Sequence, residues 1–424
     1  MQSSESGKFN TEPLLSTEDK DSGGEKNKIT LFRAVAVLTN VITGVGLLGI
    51  PYCFCSGIGT NLIIILSIAS LSCFSFSILI DCERKTNVID YPRMIRNAFP
   101  FRNLQWIPDL ATVLLMFGGT ILYLQFSSSM LISVLEEKNG VPAFLKNRWF
   151  VVFVLQFAID LPLVLLKSMH SLSFVSLLSV ALIACYIFHS IYYFSKSVHP
   201  FDPKGQLKIF KFDINQVLPS LAIQASSYTC HPSIFPTLVK LENPTKFREN
   251  LVMLLVTICA TTLYLVGGIF PYLTLFNDIK DPIVLNYYPK GQVFTFVIKI
   301  CYSIILVLTT PILIFATRLS VNDLLFSSEM SPMRHNIIGI VLLMLAGLIA
   351  VTVTKVNLIF GVVGGISAPL LIYILPSLYY LNICKEGSKV KRAVSWFSLV
   401  LGPIFITVCL YDSVKTIINT IKGK

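Results

Sequence analysis

The amino-acid sequence predicts an all-α integral membrane protein with eleven transmembrane helices. Of 424 residues, 54% are hydrophobic and only 13% are charged, whereas a soluble domain carries about 25% charged residues. Mean hydropathy is +0.72. Apolar runs recur along the chain at about the 20-residue length that crosses a ~30 Å hydrocarbon core. The polar connections between them are mostly short.

The first 28 residues are polar and rich in Ser, Glu and Lys. They bury too little to fold, so a disordered cytosolic tail is expected. With no early apolar core, a secretory signal peptide is not expected. Glu12-Pro13-Leu14-Leu15 resembles an imperfect dileucine sorting signal. The remainder, 29–424, is one transmembrane domain. Its spans are expected at 30–56, 60–82, 105–135, 149–166, 172–195, 214–238, 247–275, 292–317, 335–354, 357–381 and 393–417. The longer loops are 83–104, 136–148, 196–213 and 276–291. Within the first, Val88–Pro100 is too polar to span and is expected along the membrane surface.

The net charge of +11 does not point to nucleic acid, because Lys and Arg occupy short inter-span loops with no aromatic-interleaved basic face. Twenty of them fall on the side of the N-terminus and thirteen on the other, with Lys299 inside a span. That bias puts the N-terminus in the cytosol, and an odd span count puts the C-terminus in the lumen or outside. The ten cysteines show no CxxC pair or zinc spacing and read as small buried or lipid-facing hydrophobes. The five histidines form no HExxH, and no Walker A motif occurs. An enzyme or an ATP-driven pump is therefore not expected, and neither is a cofactor beyond an ion gradient.

Two spans break the apolar pattern. The first reads TNVITGVGLLGIP, with Gly44, Gly46, Gly49 and Pro51 crowded into eight residues. Backbone leaves the helix at membrane depth only where protein or a cavity covers it, and transporters use such breaks to hold polar substrates. The same glycines also suit close helix packing. The sixth span carries Ser226-Ser227-Tyr228-Thr229-Cys230-His231-Pro232, polar residues that are costly in lipid. Pro232 removes a donor and disfavours helical geometry at His231. First and sixth are matching positions in two five-span repeats, 29–195 and 214–381, of inverted topology. An eleventh span, 393–417, follows them.

At these residues the chain resembles the amino acid/auxin permease family. Asn40, Gly44, Gly46 and Pro51 in NVITGVGLLGIP look like its first-span signature, and TCHPSIFPTLVKLENPTKF looks like its sixth-span motif and following loop. YPRMIRNAFP, DPIVLNYYP and TTPILIF match further landmarks, and the resemblance extends from about residue 30 to near the end. It is closer to the vacuolar and vesicular amino-acid transporters than to auxin carriers. The resemblance implies a leucine-transporter-like fold, an endomembrane location such as vacuole or lysosome, and secondary amino-acid transport, often proton-driven. A sodium-coupled plasma-membrane symporter is the alternative. A non-transporting amino-acid sensor is disfavoured by a tail with no output module.

An amino acid offers a carboxylate and an ammonium. Amides at Gly44, Val45 and Gly46 suit the carboxylate, aided by the Thr43 hydroxyl, and carbonyls around Ser226, Ser227 and Tyr228 suit the ammonium. Tyr123 in span 3 is the candidate gate, since the fold commonly uses an aromatic there. It equally suits packing. Gln125 is expected to bond within the bundle. His231 carries coupling protons or fixes the break. Lys299 and Asp160 are the charges deepest in apolar context; Lys299 pairs with an acid or helix end, or snorkels. Thr309 and Thr310 offer oxygens to an ion, or bond back to helix carbonyls around Pro311. Gly361 and Gly365 fit close packing of span 10. The substrate is expected to be a small neutral amino acid, the lipid bilayer is the other partner, and the oligomeric state stays open.

Overall fold

A computed structural model describes residues 28–100, 102–166, 173–197, 207–210, 212–326 and 330–422. The tail to residue 27, with its Glu12–Leu15 motif, lies outside them. Helices begin where a polar side chain replaces the missing first-turn acceptor. Thr30 accepts the Arg33 amide and opens α1 (Leu31–Thr43), which is followed by α2 (Gly46–Cys53). Then come α3 (Ile58–Thr86), α4 (Met94–Ala98), α5 (Trp106–Glu136), α6 (Arg148–Leu155), α7 (Leu161–Val164) and α8 (Ser173–Lys196). The second half holds α9 (Ile214–Ser227), α10 (Ile234–Leu238), α11 (Lys246–Leu275), α12 (Val293–Leu325) and α13 (Pro332–Thr352). It closes with α14 (Val356–Val362), α15 (Leu375–Ile383) and α16 (Lys389–Ile421). Asn147, Asp213, Thr245 and Ser331 cap α6, α9, α11 and α13 in the same way as Thr30.

The described residues are all-helical apart from one isolated bridge, in which Ile29 pairs with Leu241 just before α1 and just after α10. Eight helices among them are long and apolar enough to cross a membrane. The number is nine if α1 and Gly46–Ser56, bent by 57°, count as one span. The stretches predicted at 149–166 and 214–238 are subdivided. A π-helical turn, Gln156–Asp160, separates α6 from α7, and residues 228–230 leave the helix between α9 and the 3₁₀ turn His231–Ser233.

Val88–Pro100, expected along the membrane surface, is covered by protein on one face. Tyr91, Met94 and Ile95 are buried, and the Tyr91 hydroxyl donates to the Leu371 carbonyl at 2.8 Å, because the segment folds inward onto α15. The helix of the eighth span continues past 317, since α12 runs to Leu325. Arg318 is only 1% exposed, bonding the Val164 carbonyl at 2.9 Å and contacting His335. Protein, not water, receives that charge.

The long helices α5 and α12 pack against each other, and α11 packs against α1, α2, α3 and α8. Trp396, Phe397, Val400 and Ile404 on α16 point outward, the apolar exterior that lipid requires. A Cβ on Gly361 would meet Ser413 Oγ at 2.4 Å, and one on Gly365 would meet Cys409 Cβ at 2.5 Å. The small-residue spacing of span 10 thus seats α16.

Candidate functional site

The chain leaves α1 at Gly44, with φ +28° and ψ −137°, a conformation that favours a residue without Cβ. The Gly44 amide still donates to the Asn40 carbonyl at 3.3 Å. Free donors therefore begin one residue later. Val45, Gly46 and Leu47 open α2, where first-turn amides have no intrahelical acceptor. The Thr43 hydroxyl donates back to the Thr39 carbonyl at 2.8 Å, which leaves its oxygen as an acceptor.

Gly46 lies directly against the end of α9. A Cβ there would stand 2.3 Å from Ser227 Oγ and 2.8 Å from Ser227 Cβ. The start of α2 and the end of α9 thus meet, bringing orphan amides of one beside orphan carbonyls of the other. Some of those carbonyls are engaged. Ser226 accepts the Thr229 amide at 3.2 Å, and Tyr228 accepts the Ser72 hydroxyl at 3.2 Å. Tyr264 on α11 reaches both breaks: its Oη is 2.6 Å from the Ile42 carbonyl and 2.7 Å from the Ser227 carbonyl. A phenol has one proton, so it satisfies one carbonyl at a time. Tyr123 Oη stands 3.1 Å from where a Gly44 Cβ would be, beside the first break.

Several predicted residues sit elsewhere. His231 is fully buried on the α3 side, its Nε2 3.0 Å from Ser75 Oγ and its ring 4.5 Å from that of Phe76. Lys299 is 1% exposed and does not snorkel; its Nζ bonds Glu137 Oε1 at 3.1 Å and Ser133 Oγ at 3.0 Å. Burial alone would raise the Glu137 carboxyl, but the Lys299 and Gly291 hydrogen bonds outweigh it and hold the group below its ordinary value. Asp160 is fully buried at the π-helical turn, with neither oxygen hydrogen-bonded among the described residues. The Thr309 and Thr310 hydroxyls bond back to Ile305 and Leu306. They lie on α12, which packs chiefly on α5, whereas α1 packs chiefly on α11. Gln125 donates to the Val353 carbonyl.

Sequence reasoning missed Tyr264, Ser72, Ser75 and Thr261, whose hydroxyl is 2.7 Å from Tyr228 Oη. Single hydroxyls in apolar spans gave no pattern to find. Tyr264 could have been flagged only as a polar handle in TTLYLVGG that requires a partner when buried.

A cavity of about 640 Å³ opens on the side where α9 begins and α16 ends, and Arg148, Lys355 and Lys415 are among its lining residues. Tyr52 and Asn357, bonded at 3.2 Å, tie α2 to α14 at its edge.

Comparison with known proteins agrees with this architecture. The chain is similar to the sodium-coupled neutral amino acid symporter 2 of Danio rerio, 26% identical over 402 residues, covering 87% of this chain and 79% of that protein. Among solved structures, MhsT in complex with L-phenylalanine matches with a TM-score of 0.60 at 15% identity, covering 90% of this chain and 98% of that one. The inward-facing conformation of Mhp1 matches at 0.58 and 13% identity, covering 91% of each. These likenesses establish the leucine-transporter-like fold. With a family match running from residue 27 to 422, the chain belongs to the transmembrane amino acid transporter proteins, a family of carriers and not of enzymes.

Proposed function

We propose that the chain is a secondary active transporter of small neutral amino acids working by alternating access. Its eleven spans comprise inverted repeats over 29–195 and 214–381 and a final span, with the N-terminus cytosolic. The observation that carries this reading is the contact of Gly46 with Ser227. It brings unpaired amides at Val45 and Gly46 against carbonyls at Ser226, Ser227 and Tyr228, a complement to a zwitterion. The substrate carboxylate takes the amides. Its ammonium takes carbonyls now engaged by Thr229, Tyr264 and Ser72, and Tyr123 covers the pair.

Sodium is the first coupling ion to test, since a similar fish protein is named as sodium-coupled and Thr309 and Thr310 keep acceptor oxygens after donating backward. Proton coupling is the second reading, favoured by the unpartnered carboxyl of Asp160. The other two proton candidates are less suited, because Lys299 is held by Glu137 and His231 by Ser75. Work at an endomembrane such as the vacuole or lysosome follows from the vacuolar-type sequence motifs alone.

Proteoliposomes holding the purified chain should accumulate labelled alanine or a related neutral amino acid. Replacing sodium by choline should abolish accumulation if sodium drives it, and collapsing the pH gradient should do so if protons drive it. Binding without accumulation would make the protein a sensor and overturn the reading.

A further inference from the structure

The cavity beside α9 and α16 is unequally charged. Arg148, Lys280, Lys355 and Lys415 line it against Asp281 and Asp412, leaving two positive charges in excess. One of these acids is also occupied, since Asp281 accepts the Tyr287 hydroxyl and the Ile283 amide, each at 2.7 Å. Lys415 is engaged with Asn215 at 2.7 Å. Arg148 is different: its Nε and Nη2 are buried and have no hydrogen-bond partner among the described residues. Buried donors without acceptors are costly, charged ones most of all.

Nε and Nη2 form the side-on edge of the guanidinium, whose two parallel N–H groups match the two oxygens of a carboxylate. The same chain uses this edge elsewhere. Arg84 bonds Glu249 through Nε at 3.0 Å and Nη2 at 2.6 Å. Among the described residues no such carboxylate bonds Arg148, while the cavity beside it is large enough for a small organic acid. Arg148 lines that space, and rotation about its flexible stem is the step that capture requires.

We propose that this cavity is a carboxylate-binding antechamber, in which Arg148 captures the carboxylate of an incoming amino acid before it reaches the breaks at Gly46 and Ser227. The excess of cations raises the local concentration of anionic groups, and Lys280 and Lys355 supply that field. The assignment of the ligand as substrate rests on the transport reading; the binding of a carboxylate does not.

The test uses the full chain, with acetate as the probe. In detergent, acetate should raise the melting temperature of the wild type by about 1–2 °C over chloride at equal ionic strength. Arg148→Gln should abolish that difference, and Arg148→Lys should keep part of it. If Arg148→Gln fails to fold, Lys280→Gln with Lys355→Gln carries the test, and a reduced acetate response is expected. No acetate response in the wild type, a response persisting in Arg148→Gln, an undiminished response in the double Gln protein, or an equal response to chloride overturns the carboxylate site. In proteoliposomes Arg148→Gln should raise KM several-fold at low salt with the maximal rate unchanged. Wild-type protein that accumulates no amino acid yet responds to acetate through Arg148 would refute transport and leave the site standing.

Discussion

Placing a methyl group on Gly46 tests the meeting of the two breaks directly. In Gly46→Ala the new Cβ would lie 2.3 Å from Ser227 Oγ, 2.8 Å from its Cβ and 3.2 Å from its Cα. Carbon atoms at optimal contact stand about 3.5–4.0 Å apart. Rotating Ser227 moves only the hydroxyl, at the expense of its 2.7 Å bond to the Ile223 carbonyl. The Cβ and Cα stay, so α2 and α9 must separate by nearly 1 Å. Overpacking of this kind costs about 1–3 kcal/mol, and a ~1 Å displacement of positioning groups can reduce turnover by about 100-fold. Initial uptake of labelled amino acid by monodisperse protein in proteoliposomes should therefore fall about 10–100-fold, or ~1.4–2.7 kcal/mol. Adding Ser227→Gly removes the two nearest atoms and leaves a 3.2 Å approach that a few tenths of an ångström relieve. The double variant should recover most of the loss. Wild-type uptake by Gly46→Ala, or a double variant no better than the single, would refute the idea that these surfaces hold one substrate between them.

Three further outcomes are expected. Tyr264→Phe leaves the buried Ile42 and Ser227 carbonyls without their donor, costing about 1–3 kcal/mol; a thermal melt and an uptake rate both equal to wild type would contradict the bridging role. Gly44→Val forces a β-branched residue into φ +28° beside Tyr123 Oη, a strain of about 1–3 kcal/mol or more, so uptake should vanish while size-exclusion still shows folded protein. Glu137→Gln strands the buried Lys299 ammonium and should destabilise by about 3 kcal/mol, with Glu137→Gln plus Lys299→Met restoring most of it. Because the Glu137 carboxyl titrates below its ordinary value, its contribution is full above the unfolded carboxylate value of about 4.3 and fades as pH falls through the folded one. Melting curves of wild type and Glu137→Gln at falling pH should therefore converge.

How much of this was legible beforehand depends on the range of each interaction. Helix positions follow from runs of local hydrophobicity, and the irregular stretches at Gly44 and at 228–230 follow from glycine, proline and clustered hydroxyls, all properties of adjacent residues. What could not be read is which distant group answers each polar atom. Tyr264 acts across 222 positions to Ile42, Lys299 finds Glu137 across 162, and Ser75 meets His231 across 156. Nothing local distinguishes Tyr264 from a tyrosine that merely fills space, and nothing local tells whether Lys299 snorkels or pairs. The protein contacts of Val88–Pro100 were hidden for the same reason. Its polarity was judged without the Leu371 carbonyl and the α15 face that receive Tyr91.

That asymmetry also orders the chemistry. The parts of the site legible in sequence are backbone groups, whose availability depends only on where the helix stops. The parts that were not legible are side chains on α3 and α11, which decide how those groups are used when no substrate is bound. Under the proposed reading, Tyr264 and Ser72 already donate to carbonyls that a substrate ammonium would use, so binding there shares or exchanges engaged acceptors instead of filling idle ones. An exchange of near-equal hydrogen bonds contributes little net free energy. Affinity then rests on the carboxylate end, where Val45 and Gly46 present amides that the helix leaves without an acceptor. Analogues lacking the carboxylate should lose binding far more severely than analogues with a methylated ammonium, and a competition series against labelled substrate measures that ratio. Equal losses at the two ends would mean that the carbonyls of α9, and not the amides of α2, dominate recognition.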